Sequence, residues 1–390
     1  MLKPFYFYRT PRLLFGAGQI KETGKAASLF GKKALLVHGA KSLEQSGNLD
    51  KIFSILKESR IKYERFTVDS EPSPELIDQA VAIHRSEIDV VIAVGGGSVI
   101  DAGKAISAML VSGDEITQYL ELVGTKKPDG KKVPLIAVPT TAGTGSEASA
   151  NAVLSKVGAS GFKRSLRHEN YVPDIAIVDP EIMLFCSPSV TASCGMDALT
   201  QLIESYVSPK ASPFTDALVE SALPMVRDSL LRAVKNGKED IEARTGMAYA
   251  SFVSGITLAN AGLGVIHGLA SSIGGFFPIP HGMICGALLA VATEQNIESL
   301  KIRDPDSFAL KKYSYAGSVL SGKTAESIDK GCRLLTETLE SWTYYLQIKD
   351  LSYFGVLRTD IPKILKEGGN KNNPVQLDDL EIEKFLLKRI

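Results

Sequence analysis

The sequence predicts an α/β unit over residues 1–180 followed by an all-helical unit over residues 181–390. Three observations carry this expectation. Short apolar, β-branched runs alternate with helical segments through the first half, the pattern of a parallel sheet covered on both faces. A glycine triplet joins one of those runs to the helix that follows it. After Val178-Asp179-Pro180 the strand signal stops and long amphipathic segments replace it.

Strands are expected at 33–38, 62–68, 88–94, 133–138 and 174–178, with helices near 18–30, 48–59, 74–86 and 98–111. The run from Ile88 to Val94 is apolar except for Asp89, too short for a buried helix, and ends in glycine, so it reads as a buried strand. Residues 151–169 read as a hairpin centred on Gly158-Ala159-Ser160-Gly161, inserted before the last strand. In the second half, helices are expected at 189–208, 213–236, 240–260, 304–320 and 324–346. The apolar stretch from Ala261 to Ala292 is long enough to raise a membrane span. Two histidines, two prolines and many glycines interrupt it, so a broken, buried helical region is expected instead. Only 368–376 reads as loose.

Bulk composition excludes some partners. With 44 basic and 44 acidic residues the net charge is zero, which argues against a nucleic-acid footprint or an anionic membrane surface. Cys186, Cys194, Cys285 and Cys332 show no CxxC or zinc-finger spacing and read as reduced packing residues. The N-terminal MLKPFYFYRTPR lacks the apolar segment of a signal peptide, so a cytoplasmic protein is expected.

Two loops carry the chemistry. In VGGGSVIDAGKA, residues 94–105, the glycines follow a strand, Ser98 is a candidate helix N-cap, and a helix begins. Strand, glycine turn and helix start point free N–H groups and the positive end of a dipole at an anion such as a phosphate. Glycines used only for a tight turn are the alternative. A second strand ends in PTTAGTGSEASA, residues 139–150, where Thr140, Thr141, Thr144 and Ser146 fit a loop that hydrogen-bonds an extended polar ligand. Neither loop is a G-x-G-x-x-G fingerprint or a Walker loop. Further on, Asp197 and Gln201 are four apart on one helix face, and His267 and His281 lie in the apolar region where an unpartnered ring is costly.

GGGSVIDAGKA, PTTAGTGSEAS, GMDALTQLIESYVS (195–208), His267, and His281 in IPHG together resemble the iron-containing (group III) alcohol dehydrogenase family, from FGAG near residue 15 to NNPV near residue 374. The resemblance implies a dehydroquinate synthase-like architecture, with a Rossmann-like dinucleotide-binding domain over 1–180 and a metal and substrate domain over 181–390. It also implies NAD or NADP in the cleft, a divalent metal, Fe(II) or Zn(II), and a homo-oligomer, a dimer. Family ligands are one aspartate and three histidines. Asp197, His267 and His281 match, and Gln201 stands where the first histidine would be. Either the Gln201 amide oxygen ligates weakly, or Gln201 hydrogen-bonds a site of three ligands and water. Ser271 replaces a second family histidine, which removes an imidazole from the substrate pocket.

Many relatives that use NAD carry an aspartate after the second strand. Here Gly39, Ala40, Lys41 and Ser42 follow, which leans toward NADP(H), with Lys41 and Ser42 as 2′-phosphate contacts or Lys41 as a solvated charge. Family likeness places Asp101 by the cofactor and lets Lys163 reach it. Their alternatives are an Asp101–Lys104 helix pair and a solvated hairpin lysine.

The expected function is hydride transfer between NAD(P)(H) and a small alcohol or aldehyde, with catalytic residues Asp197, His267 and His281 around a metal that polarises the substrate oxygen. Alternatives are a metal-independent reductase of the maleylacetate reductase type, a 3-dehydroquinate synthase-like lyase, and a nucleotide-binding homologue impaired at Gln201 and Ser271.

Overall fold

Val90–Gly95 (β4), buried along its whole length, lies inside a six-stranded sheet with Arg12–Phe15 (β1), Lys33–Gly39 (β2), Lys62–Val68 (β3), Leu135–Pro139 (β5) and Ile175–Val178 (β8). The computed structural model describes residues 4–40, 42–84, 87–158 and 161–390, with Ser42 described by its backbone alone. Strand order is β1-β8-β5-β4-β2-β3 and every pairing is parallel. The chain runs outward from β2 to β3, then returns to place β4 on the other side of β2. That reversal opens a crevice at the carboxyl ends of β2 and β4, where open α/β sheets bind ligands. Registers Gly95 with Pro139 and His38 with Val94 bring β2, β4 and β5 to one common edge.

Alternation along β2 explains the two cores. Ala34 and Leu36 face one side with Ala26, Ile52 and Leu56, from helices Thr23–Ser28 (α1) and Asn48–Glu58 (α3); between them lies the short Ser42–Gln45 (α2). Leu35 and Val37 face the other side, with Ile77 of Pro74–Ile83 (α4) and Ile106 of Gly97–Met109 (α5). Asn151–Lys156 (β6) and Phe162–Arg167 (β7) form the expected antiparallel hairpin, whose residues 159–160 lie outside the described residues.

The second half is helical: Pro188–Val207 (α6), Pro213–Asn236 (α7), Ile241–Ala261 (α8), Val265–Phe276 (α9), His281–Arg303 (α10), Phe308–Ser321 (α11), Ile328–Tyr345 (α12), Ile361–Glu367 (α13) and Asp379–Leu386 (α14). Helix α6 is the axis of this half and is buried from Gly195 to Val207. Ala248, Phe252 and Ile256 of α8 pack into the α1/α3 core, so the two halves share an apolar contact.

Several expectations need correction. The expected helix 304–320 starts only at Phe308, since Pro305 lacks an N–H and disfavours helix at Asp304. The expected 324–346 starts at Ile328, where the Ser327 hydroxyl caps the Lys330 N–H. The 18–30 segment opens with a 3-10 turn, Gln19–Glu22. Strand β1 went unpredicted, being four residues long at the sheet edge. The Ala261–Ala292 stretch is indeed broken, between α9 and α10 at 277–280. Among the described residues no single helix is long and apolar enough to cross a membrane.

Candidate active site

The turn after β4 leads directly into α5. Its N-cap is Gly96, not Ser98, and no side chain caps the first turn, so N–H groups are left for a ligand. Added Cβ atoms would stand 2.5 Å from Val99 at Gly95 and 2.5 Å from Thr144 at Gly97. The glycines therefore let the GGGS and PTTAGTGS loops interlock. Thr140 N donates to Gly95 O at 2.9 Å, and Ser146 N donates to Thr144 Oγ1 at 3.2 Å. Thr140, Thr141 and Thr144 are half-buried beside the crevice.

Asp101 braces the second loop. It accepts from the Ser146 hydroxyl and, at 3.1 Å, from Val153 N, and its carboxylate pairs with Lys104 Nζ at 3.3 Å. The helix pair expected as the alternative is therefore present, and Asp101 also reaches the second loop. Gly39 ends β2 with its nearest potential Cβ contact 3.8 Å away, at Val99. Lys41 lies outside the described residues, and Ser42 begins α2. Lys163 is buried, not solvated: its ammonium pairs with Glu71 at 2.6 Å, and Ser155 Oγ donates to the same carboxylate at 2.7 Å. Burial pushes the Glu71 carboxyl up, but Lys163 outweighs it and holds the group below its ordinary range.

A cluster forms where α6, α9 and α10 meet. Asp197 Oδ1 lies 3.4 Å from His267 Nε2 and 3.7 Å from His281 Nε2. Cys285 Sγ lies 3.7 Å from each of the same two nitrogens. All four donor atoms fall within 4.8 Å of one another. Cys285 was expected only to pack; it is one helical turn after His281 and faces the same point. Gln201 lies on α6 one turn after Asp197. Its amide oxygen accepts from Ser254 Oγ of α8 at 2.7 Å. Ser271 Oγ donates back to His267 O at 3.1 Å within α9.

Close helix contact brings the donors together. A Cβ on Gly282 would stand 2.3 Å from Ser193 O, and one on Gly286 3.0 Å from Met196 Cβ, so these glycines let α10 lie against α6. Glu204, which carries no motif of its own, sits two turns after Asp197 on α6. It accepts from Ile266 N at 2.7 Å and from His267 Nδ1 at 2.6 Å, capping α9 and turning Nε2 toward the cluster. Asn373 also reaches the start of α9, accepting from Val265 N at 3.3 Å, and its amide donates to Asn296 at 2.6 Å. The 368–376 segment, expected to be loose, is thus tied down. In addition, Gly268 leaves no room for a Cβ beneath Gly369 O.

The electrostatics suit a cation. Asp197 is 2% exposed, and its Oδ1 has no hydrogen-bond donor among the described residues. Burial pushes this carboxyl up, but His281 and His267 outweigh it and hold it below the usual range. Burial also lowers His281 to about 4, whereas at His267 the neighbouring Cys285, Asp197 and Glu204 outweigh burial and raise the imidazole well above its ordinary value, so metal binding there displaces a proton. Burial raises the Cys285 thiol to about 12. An orphaned carboxylate oxygen surrounded by two imidazoles and a thiol fits a divalent transition metal.

The sequence profile "Iron-containing alcohol dehydrogenase" matches residues 10–180, and "Fe-containing alcohol dehydrogenase family, C-terminal" matches 191–390. The chain is 36% identical over 285 residues to the NAD-dependent methanol dehydrogenase of Bacillus methanolicus, covering 72% of this chain and 73% of that one. It is 36% identical over 278 residues to the NADPH-dependent butanol dehydrogenase of Clostridium saccharobutylicum, covering 70% of each. The solved structure of a 1,3-propanediol oxidoreductase superposes with a TM-score of 0.88 at 30% identity over 100% of both chains. The chain belongs to the iron-containing alcohol dehydrogenase family, and its chemistry is the oxidoreduction of alcohols and aldehydes.

Proposed function

We propose that this protein transfers a hydride between NADP(H), or NAD(H), and a small alcohol or aldehyde. In this reading residues 1–180 hold the dinucleotide, and residues 181–390 hold a divalent metal at Asp197, His267 and His281. The observation that carries the reading is the meeting of these three side chains, from three helices, around an Asp197 oxygen that lacks a donor.

A bound divalent cation supplies Lewis acidity toward a substrate oxygen, and a bound nicotinamide supplies or accepts the hydride. The chain's own residues do the positioning. Gly96, Gly97 and Ser98 present the first-turn N–H groups of α5 to a diphosphate, and Thr140, Thr141 and Thr144 line the same crevice. Asp101 and Ser146 fix the second loop. Glu204 holds His267 in the tautomer that leaves Nε2 free. His267 and His281 side chains are 12% and 24% exposed, against 2% for Asp197, so the cluster opens on the histidine side. The Ser271 hydroxyl donates to its own helix and offers no imidazole for proton relay.

NADP(H) is favoured because Gly39 ends β2 without a carboxylate. Arg65 Nε donates to His38 Nε2 at 3.3 Å, which places a guanidinium next to that strand end. A cytoplasmic homodimer completes the proposal. It rests on the four free thiols and on the edge strand β1, which follows in sequence the exposed aromatics Phe5, Tyr6, Phe7 and Tyr8. Light scattering checks the dimer.

The test of activity follows NADPH and NADH oxidation against a panel of short aldehydes, after chelation and reloading with Fe(II), Zn(II) or no metal. Metal-restored reduction of at least one aldehyde is expected. Undiminished activity after chelation would replace the metal reading with a metal-independent reductase.

A further inference from the structure

We propose that Cys285 is a thiolate ligand of the metal, and that it takes the coordination position Gln201 has given up. The inference rests on the metal reading above and concerns the fourth donor alone.

Gln201 has one atom suited to a transition metal, its amide oxygen, and that oxygen is engaged by Ser254 Oγ at 2.7 Å on the α8 side of the helix. Cys285 is fully buried, yet its sulfur meets the two histidine nitrogens at 3.7 Å each. These spacings are close to those of a coordination polyhedron, and slightly wider. Metal bonds of about 2.0–2.1 Å to nitrogen or oxygen and about 2.3 Å to sulfur put neighbouring tetrahedral corners roughly 3.3–3.6 Å apart. The observed edges are 3.4 Å between Asp197 and His267, 3.7 Å between Asp197 and His281, and 3.7 Å from the sulfur to each ring. The independent pointer to a cation is Asp197 Oδ1, buried and without a donor at the same centre.

Ligation breaks the Sγ–H bond and forms a sulfur–metal bond. The proton leaves to solvent and no electrons are exchanged. Replacing a neutral donor by a thiolate makes the set softer and adds one negative charge, which favours Zn(II) over harder cations such as Mn(II).

Cobalt(II) reads the ligand directly, because a cobalt–thiolate bond adds a near-ultraviolet charge-transfer band. The full-length chain, reduced, stripped and reloaded with Co(II), is expected to show that band. Cys285→Ser and Cys285→Ala should lose it while keeping a native circular dichroism spectrum, and Gln201→Ala should keep it. The ratio of Zn(II) to Mn(II) affinity should fall more than about tenfold in Cys285→Ser. Stoichiometric Co(II) without the band, or a band that survives Cys285→Ser, overturns the thiolate ligand and leaves the metal site standing. No Co(II) bound, or binding unaffected by His267→Ala, overturns the metal reading itself and this inference with it.

Discussion

His267 Nδ1 donates to Glu204 Oε2 at 2.6 Å, while the other oxygen of the same carboxylate accepts from Ile266 N at 2.7 Å. One side chain thus caps α9 and orients the imidazole at its first turn. Glu204→Gln keeps the shape but puts an NH2 group where one of these two donors points. It should weaken Zn(II) binding by about 10–100-fold, as other losses of a partner behind a metal ligand do. Competition against a chromophoric chelator measures this, and a change below about threefold would show that Glu204 is only a helix cap.

Cofactor choice is tested at the end of β2. Gly39 has ordinary backbone angles, and among the described residues an added Cβ would meet only Val99, at 3.8 Å, so Gly39→Asp leaves the sheet contacts undisturbed. The new carboxylate should raise KM for NADPH at least about tenfold, the equivalent of about 1.4 kcal/mol, and leave KM for NADH little changed. A wild-type enzyme that already prefers NADH by that margin would sink the NADP(H) reading.

Gly97 offers a steric test of the crevice. A Cβ there stands 2.5 Å from the Thr144 side chain, so Gly97→Ala pushes the two loops apart before it touches any ligand. Cofactor affinity should drop about tenfold or more, and Thr144→Ala should restore part of it by making room. Fluorescence titration with NADPH on the two single variants and the double variant gives the coupling. Additive losses would mean that the loops do not share the site.

Acid stability provides a test away from the site. Asp174 joins the starts of β5 and β8: it accepts from Leu135 N at 2.9 Å and pairs with Arg9 at 3.1 Å and with Lys132. Burial raises this carboxyl, but Lys132 and the Leu135 N–H outweigh it, so its pKa is lowered on folding. A lowered carboxylate stabilises the fold above its unfolded pKa of about 3.9, and that contribution is lost as pH falls through the folded value. Asp174→Asn should therefore cost about 1–3 kcal/mol at pH 7 and progressively less below about pH 4. Denaturant unfolding at the two pH values checks the sign. A cost that grows on acidification would contradict it.

How much was legible in the sequence follows from how each element is buried. Strands β4, β5 and β8 read clearly because both their faces are covered, which forces unbroken apolar runs. Strand β1 did not, since a four-residue edge strand has no room for a pattern. The loops GGGS and PTTAGTGS announced themselves through composition, but their interlocking at Gly97 and Thr144 is a spatial fact. Asp197, His267 and His281 were legible through resemblance. The one sequence signal for Glu204 is its spacing of seven from Asp197, which returns to the same helix face. Cys285 left almost none, because a cysteine in an apolar helix is usually packing. Neither was there any local sign that Gln201 would turn its amide toward Ser254, on a helix some fifty residues away.

The last prediction joins these two positions. Cys285→Ala removes the sulfur and should lower Zn(II) affinity by more than the about 10–100-fold of an outer-shell change, since a direct ligand is lost. Gln201 lies on α6 one turn after Asp197, so an imidazole there is within reach of the cluster if it does not turn toward Ser254. Histidine is also the stronger donor for zinc or iron. The double variant Cys285→Ala with Gln201→His should recover most of the lost affinity, and its Co(II) form should lack the charge-transfer band. Gln201→His alone should gain far less, because the wild-type set already has four donors. Equilibrium dialysis of the four proteins against Zn(II) decides the matter. If Gln201→His helps the wild type as much as it helps Cys285→Ala, the two positions are not exchanging one ligand, and Cys285 is a neighbour of the metal only.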